Sequence, residues 1–209
     1  MTPGPNLIRR IPASRNLVKF ATINSGNTCG MRSWTDGRSI APMLPESPWL
    51  RIHPATGELF WSDETEEVAE EEPWEPRRKF AKVPFAEEPD LADYRRALAS
   101  GMGATRDKLF HLRLRFWWAA NDPFRQDGQD APRPEDFAEN LEALAAMMDT
   151  AKPEDALMVA EAWRQLGRFD ESAALLNRPF PKDLAFARRI LLRWTDRGDT
   201  RVRELKDDR

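Results

Sequence analysis

A chain of 209 residues is long enough for one large domain or two small ones. Its net charge of −3 argues against a protein that mainly coats nucleic acid, for which a basic domain is expected. A single cysteine cannot form an intrachain disulfide, and no apolar run approaches the roughly 18 residues of a membrane span, so we expect a soluble cytoplasmic protein without a membrane partner.

The first 62 residues favour short strands and turns. Residues 17–23 are rich in strand-forming residues and end at a cluster of turn residues. Asp36 and Gly37 form a strong hairpin signal, and residues 49–53 and 58–61 flank a second candidate turn. Residues 1–62 are therefore predicted to form a small antiparallel β-module.

Residues 63–89 are predominantly acidic. Ten Asp or Glu residues stand against four basic ones, and prolines at positions 73, 76, 84 and 89 interrupt any helix longer than two turns. Such a composition buries too little apolar surface to offset the entropy of ordering, so we predict a flexible or draped linker. An open alternative is that aromatic residues such as Trp74 and Phe80 pin this linker onto a neighbouring domain.

Residues 90–209 carry the signals of a helical domain. Prolines with acidic neighbours predict helix starts near residues 89, 134, 153 and 181, and a further helix is predicted over 169–177. The sequence therefore predicts an α+β fold, in which the small β-module precedes an all-helical domain.

The segment 105–121 is ambiguous. Its apolar and polar residues alternate as in a strand, but its length and its helical neighbours favour a helix. On a helix, Arg113 would lie inside an apolar arc, and a buried arginine needs a partner. Arg113 then either forms a structural ion pair with an acidic residue, which we favour, or lies at the centre of a binding cleft.

The segment 153–177 has the pattern of a helix, a tight turn and a second helix with a patch of small residues. The residues that carry this pattern are Trp163, Leu166, Gly167, Phe169 and the small residues 172–174. They resemble one tetratricopeptide repeat, with a partial echo over 181–198. The resemblance implies a helical hairpin that binds other proteins along a concave surface. A full repeat array is not expected, because at least three units are generally needed to bury their faces.

The front half contains four short motifs, SGNT at 25–28, WTDG at 34–37, APMLP at 41–45 and LFW at 59–61. They resemble a group of uncharacterised bacterial proteins that join a small β-module to a helical module. In these relatives a Cys-Pro-x-Cys-Gly zinc knuckle precedes the Leu-Phe-Trp. The equivalent residues here run from His53 to Gly57 without the second sulfur ligand. Because a zinc site needs four ligands, we expect no metal and no cofactor.

No motif in the chain specifies a reaction. The repeat-like hairpin and the eight tryptophans favour a non-enzymatic protein that binds another protein, such as an adaptor, a chaperone or an immunity-type partner that neutralises a toxin. Large aromatic residues and arginines dominate interface energetics. The predicted contact residues are Trp163, Arg164, Arg168, Arg189 and Trp194.

Two other functions stay open on the sequence. An enzyme would use a cleft between the two modules, lined by His111, Arg113 and Arg115. A nucleic-acid-binding protein would place arginines on phosphates and tryptophans against bases, but the net negative charge argues against this alternative.

Overall fold

The computed structural model describes residues 2–125 and 131–206. The chain divides into two compact units. The sheet unit comprises Met1–Met31 and Ile40–Ala97, and the helical unit comprises Arg32–Ser39 and Leu98–Arg209. An antiparallel sheet region is thus followed by helices, and the predicted α+β class is confirmed.

The strands are short and pair antiparallel. They are β1 (Thr2–Arg10), β2 (Leu17–Ser25), β3 (Arg32–Ser33), β4 (Ser39–Ile40), β5 (Leu50–Ile52), β6 (Leu59–Trp61) and β7 (Glu66–Glu71). The largest sheet has the order β2–β1–β7, while β3 pairs with β4 and β5 pairs with β6. Both hairpins fall where turn residues predicted them.

One side of the large sheet buries the apolar core of the sheet unit. Val18 and Phe20 of β2 are buried on this side together with Ile11 and Phe60, whereas Ile8 of β1 pairs with Lys19 and is buried on the other side. Phe20 meets Phe60 of β6 edge to face, with ring centroids 6.3 Å apart. This packing attaches the second hairpin to the large sheet.

The acidic segment differs from the predicted linker, because it supplies the third strand. β7 pairs with β1, and the buried carboxylate of Glu71 accepts a hydrogen bond from Lys19 Nζ at 2.8 Å. Further on, the carbonyl of Pro84 accepts from the Lys19 amide, and the Ala86 amide donates to the Lys19 carbonyl. The predicted boundaries at 62 and 89 therefore fall inside the sheet unit.

The composition of this segment was misleading because its charge partners lie far away in sequence. Arg10 on β1 pairs with Glu66 at 2.8 Å, and Lys19 pairs with Glu71 across a separation of 52 residues. A strand whose glutamates meet cross-strand cations is stabilised in a way that local composition does not reveal.

The helices follow the predicted starts closely. They are α1 (Leu91–Ala99), α2 (Arg106–Asn121), α3 (Phe137–Ala145), α4 (Pro153–Gln165), α5 (Phe169–Leu176) and α6 (Ala185–Asp196). The ambiguous segment is helical, and the hydroxyl of Thr105 caps α2 by accepting from the Lys108 amide at 3.2 Å. None of the described helices is long and apolar enough to cross a membrane.

α4 and α5 form the predicted hairpin, and α6 packs against both. Gly167 ends α4 with φ of +76°, a left-handed conformation that glycine adopts without penalty. Leu157, Leu176 and Leu191 form the core between the three helices. The fully buried Ser172 lies 3.2 Å from Thr195 Oγ1, so a small residue marks the contact of α5 with α6.

The hairpin at Arg32–Ser39 belongs to the helical unit, although its flanking segments belong to the sheet unit. At its tip Gly37 has φ of +79°, and a Cβ at this position would lie 2.8 Å from the sulfur of Met158 on α4. Glycine is therefore favoured there by the conformation, while a Cβ would require the flexible end of the Met158 side chain to shift. On its other side, the Ser33 carbonyl accepts from the Leu205 amide at 2.7 Å.

Candidate functional site

Asp36, at the tip of this hairpin, is the first buried charge of the helical unit. Its carboxylate is fully buried and accepts from Arg125 Nη2 at 2.5 Å and Nη1 at 3.2 Å. Asn121 Nδ2 donates to the same carboxylate at 2.7 Å. The negative charge of Asp36 is thus matched by one guanidinium within the interior, as a buried carboxylate requires.

A second buried pair lies on α4. Arg164 Nε and Nη2 each donate to one oxygen of the Glu161 carboxylate at 2.7 Å, and both side chains are fully buried. Thr35 Oγ1 donates to the same carboxylate at 2.6 Å, and Gln165 Nε2 donates at 2.7 Å. The hairpin is therefore joined to α4 by the Thr35 hydroxyl, which donates to a carboxylate already held by a bidentate ion pair within the helix.

The same arginine also holds the C-terminal segment. Arg164 Nη2 donates to the carbonyl of Arg201 at 2.8 Å, and Nη1 donates to the carbonyl of Asp199. The Thr35 amide donates to the Arg203 carbonyl at 2.8 Å, and the Arg203 amide donates back to Thr35 Oγ1 at 3.0 Å. The hairpin, α4 and residues 199–203 thus share one polar network.

Arg133 lies between the two buried pairs, and its Nη2 donates at 3.5 Å to Gln165 Oε1, whose own amide nitrogen donates to Glu161. Its Nη1 donates to Asn121 Oδ1 at 2.5 Å, and its guanidinium lies 4.1 Å from the ring centroid of Phe124 and 4.4 Å from that of Phe137. Burial lowers the pKa of Arg133 to about 10, against the opposing effect of Glu161 and Asp36. Arg133 therefore remains a cation at neutral pH.

An open cleft of about 190 Å³ adjoins this network. It is lined by Arg32, Trp34, Phe124, Arg125, Trp194, Val202, Arg203, Glu204 and Lys206. Four of these side chains are basic, three are aromatic and one is acidic. Such a lining suits a ligand that offers both an anionic group and an apolar one. We call this feature the Trp194 cleft.

Trp194 is half-buried and is contacted by two guanidinium groups. Arg203 lies 4.5 Å and Arg197 4.8 Å from its ring centroid. Arg203 is also fixed by Asp199, which accepts from its Nε at 3.0 Å and from its Nη2. Within the described residues, the Nη1 group of Arg203 has no hydrogen-bond acceptor. An ordered donor is therefore present at the cleft.

The opposite side of the cleft is organised around Trp34. Arg32 and Arg125 lie 5.2 Å and 5.0 Å from its ring centroid. Arg32 donates Nε and Nη2 to the two oxygens of Glu204 at 3.0 Å and 2.8 Å, which lowers the pKa of Glu204. Glu204 is consequently ionised at neutral pH.

A basic stripe runs along the outer face of α6. Arg189 and Arg193 lie four residues apart on one side of α6, and Arg197 follows at the same interval directly after the last residue of the helix. The exposed ring of Phe186 lies on the same side, 5.4 Å from the guanidinium carbon of Arg189. We call these four residues the α6 stripe, and Arg197 connects it to the Trp194 cleft.

The predicted contact residues lie in four different environments. Arg189 is exposed on the α6 stripe, and Trp194 lines the cleft. Trp163 is half-buried, with the guanidinium of Arg168 at 5.0 Å from its ring centroid. Arg164 must be corrected, because its buried guanidinium is engaged within the chain and offers no donor to a partner protein.

The three residues predicted for an enzyme cleft all lie on α2 but do not converge. Arg113 donates to Asn140 Oδ1 of α3 at 3.4 Å, so its partner is an amide and not the predicted acidic residue. His111 and Arg115, one turn apart, share a different side of the helix. Burial, with the nearby charge of Arg115, lowers the pKa of His111 to about 4, so its imidazole is neutral at pH 7.

Sequence reasoning missed most of the cleft. Arg32 and Trp34 are brought to it by the hairpin, and Arg203 and Lys206 by the C-terminal segment. One available signal was the Glu161–Arg164 pair, whose spacing of three residues places both charges on the buried side of a helix with Leu157. That pattern indicates a buried ion pair and an interior polar network.

Comparisons of the chain with protein-family models, curated proteins and solved structures give no match. Within residues 2–125 and 131–206, no three His, Cys, Asp or Glu side chains are grouped so that they could hold a metal ion.

Proposed function

We propose that this protein is a non-enzymatic binding module that contacts an acidic partner protein through the α6 stripe and the adjoining cleft. The α6 stripe is the observation that carries the proposal. Three arginines and one exposed aromatic ring follow one side of α6 and its C-terminal end. Arginine and aromatic residues are the side chains enriched at energetically dominant interface positions.

The buried network supports this role, because it limits the conformational freedom of the residues at the surface. Arg164 connects α4 to residues 199–203, two of which, Val202 and Arg203, line the cleft. A surface that is already ordered loses less conformational entropy on binding. The basic charge also favours encounter with an acidic patch, an effect that weakens as the salt concentration rises.

The α4–α5 hairpin adds a second argument. Its residue pattern resembles a tetratricopeptide repeat, and proteins built from such repeats bind other proteins. The module would accordingly act as an adaptor, a chaperone or an immunity-type partner of a toxin, in the cytoplasm of a bacterium. An acidic protein is the partner that the arginines of the stripe complement.

The test compares two sets of charge reversals in capture experiments from a nuclease-treated lysate of the source organism. The stripe variant carries Arg189→Glu, Arg193→Glu and Arg197→Glu. The control carries the same change in charge at three exposed lysines, Lys82→Glu, Lys152→Glu and Lys182→Glu. Captured proteins are identified by mass spectrometry, and each one is then titrated in purified form.

We expect wild type and the control to capture the same acidic protein, and the stripe variant to lose it. Affinity should also fall as salt is raised, because surface charges are screened. Equal capture by all three proteins would refute the assignment of the stripe. Recovery of nucleic acid in place of protein, from a lysate without nuclease, would favour the nucleic-acid alternative.

A further inference from the structure

The two edges of the large sheet differ in how they are covered. The outer edge of β2 is met by residues 84–86, which form two backbone hydrogen bonds of 2.8 Å with Lys19. β7 forms the other edge, and across residues 2–125 and 131–206 no backbone hydrogen bond is made on its outer side. Unpaired amides and carbonyls along a strand are a template to which another extended chain can add.

The side chains along this open edge are acidic and only partly neutralised. Glu66 and Glu67 pair with arginines of β1 at 2.8 Å and 3.7 Å, yet their side chains are 64% and 51% exposed. Glu70 on β7 and Glu72 directly after it are exposed, and in the part of the chain that the structure describes neither carboxylate has an ion pair. A strand that adds to β7 therefore meets a row of negative charges.

This charge decides between the possible occupants of the edge. A second copy of β7 would bring glutamates opposite glutamates, and like charges opposite each other in a sheet are destabilising. A strand rich in Lys and Arg would form opposite-charge pairs across the same positions, each of them favourable. The acidic side chains thus protect the edge against self-association and leave it open to a basic segment of a different protein.

The turn after β7 adds an aromatic surface at one end of the edge. The ring of Trp74 is 71% exposed, and among the described side chains no cation lies over it, in contrast to Trp34 and Trp194. The turn is held to the sheet because the Arg77 amide donates to the Glu71 carboxylate at 2.6 Å. The exposed face of an indole attracts Lys and Arg side chains. The acidic surface ends there, since basic residues begin at Arg77.

We propose that the outer edge of β7 binds a basic extended segment of another protein, which adds to the sheet as its fourth strand. Lys and Arg side chains of that segment approach Glu70 and Glu72, and one of them packs on the ring of Trp74. The proposal goes beyond the function proposed above, because it assigns to the sheet unit a second surface, opposite in charge to the α6 stripe.

The experiment uses the full chain and three synthetic peptides with blocked ends in isothermal titration calorimetry. The first peptide alternates lysine and valine, Lys-Val-Lys-Val-Lys-Val-Lys. The second replaces every lysine by glutamate. The third replaces every valine by proline, which keeps the charge but removes backbone donors that a sheet needs.

The protein variants change the charge of the edge or remove its aromatic surface. Glu70→Lys combined with Glu72→Lys reverses the unpaired charges at the edge. Its matched control is Glu139→Lys combined with Glu142→Lys, which makes the same change at exposed positions of α3. Trp74→Ala removes the indole, and sedimentation of wild type without peptide reports its oligomeric state.

We expect the first peptide to bind wild type and the α3 control equally. The variant with reversed edge charges should bind it at least about tenfold more weakly, because attraction becomes repulsion. Trp74→Ala should weaken binding about two- to fivefold, the range of an exposed contact between a cation and an aromatic ring. The glutamate and proline peptides should each bind wild type at least about tenfold more weakly than the first peptide.

Several outcomes would overturn the proposal. Absence of binding at about 1 mM of the first peptide would exclude a basic segment as the occupant. Equal binding of the proline peptide would reduce the effect to attraction between charges without strand addition. Equal binding by the variant with reversed edge charges would place the peptide elsewhere on the protein. A dimer of wild type that excludes the peptide would assign the edge to a second copy of this chain.

Discussion

Arginine–carboxylate pairs occur in two regions of the helical unit, and they differ in access to water. In the interior, Glu161 and Arg164 are both completely buried. At the Trp194 cleft, the side chains of Arg32 and Arg203 are 50% and 34% exposed although each is paired. Loss of one partner is costly only where the remaining charge stays buried. Burial, and not residue type, therefore separates a structural arginine from one that can contact a partner.

The largest expected effect comes from breaking the interior pair. Arg164→Leu leaves the Glu161 carboxylate buried without its cation, so the free energy of unfolding should fall by about 3–5 kcal/mol. The measurement is urea unfolding followed by circular dichroism. Arg168→Leu is the control, because its pair with Glu171 is exposed and should change the free energy by about 0–1 kcal/mol.

If Arg164→Leu and Arg168→Leu lowered the free energy of unfolding equally, the proposed difference between interior and surface ion pairs would be contradicted. The double variant Glu161→Leu with Arg164→Leu sharpens the test. It removes both charges and should recover part of the lost stability, since an uncompensated buried charge is the main penalty.

A smaller effect is expected at the hairpin tip. Gly37→Ala should cost about 1–3 kcal/mol because of its positive φ, and it also places a Cβ 2.8 Å from the sulfur of the flexible Met158 side chain, which must shift. Gly101→Ala is a matched control, because Gly101 has φ of +75° and open space around its Cβ position. The difference between the two variants in urea unfolding isolates the contact with Met158. Identical losses would mean that this contact does not hold the hairpin.

The smallest effect concerns the buried pair of the sheet unit, and it depends on pH. The hydrogen bond from Lys19 holds the pKa of Glu71 below its ordinary value. The resulting stabilisation is present above the unfolded pKa of about 4.5 and is lost as the pH falls through the lower folded pKa. Glu71→Gln keeps the shape of the side chain but removes its charge.

Wild type should therefore be more stable than Glu71→Gln at pH 7, and the difference should shrink on acidification. The measurement is the urea midpoint of each protein between pH 7 and pH 3. Glu70→Gln, on the exposed side of β7, is the control and should follow wild type throughout. A constant difference between wild type and Glu71→Gln at every pH would contradict the assignment.

The elements that could be predicted are those with local signals. Helix starts at prolines with acidic neighbours identified α4, and Gly167 marked its end. β7 could not be predicted in this way, because its glutamates are stabilised by cations on distant strands. β7 also has too few apolar residues for its sequence alone to indicate a strand.

The same limit applies to the candidate site. Trp194 and Arg189 lie on one amphipathic helix, so a search for aromatic residues and arginines found them. Arg32 and Glu204 are separated by 172 residues, and only the folded chain brings them together. Because the cleft combines residues from segments far apart in the sequence, no single stretch of sequence indicates it.

The hairpin at Arg32–Ser39 has a consequence for any attempt to divide the chain. A truncated protein that starts at residue 98 would lack Asp36, the buried carboxylate that neutralises Arg125. It would also lack Thr35, which joins Glu161 to the C-terminal backbone. The helical unit therefore needs the eight residues Arg32–Ser39, which the chain places between two segments of the sheet unit.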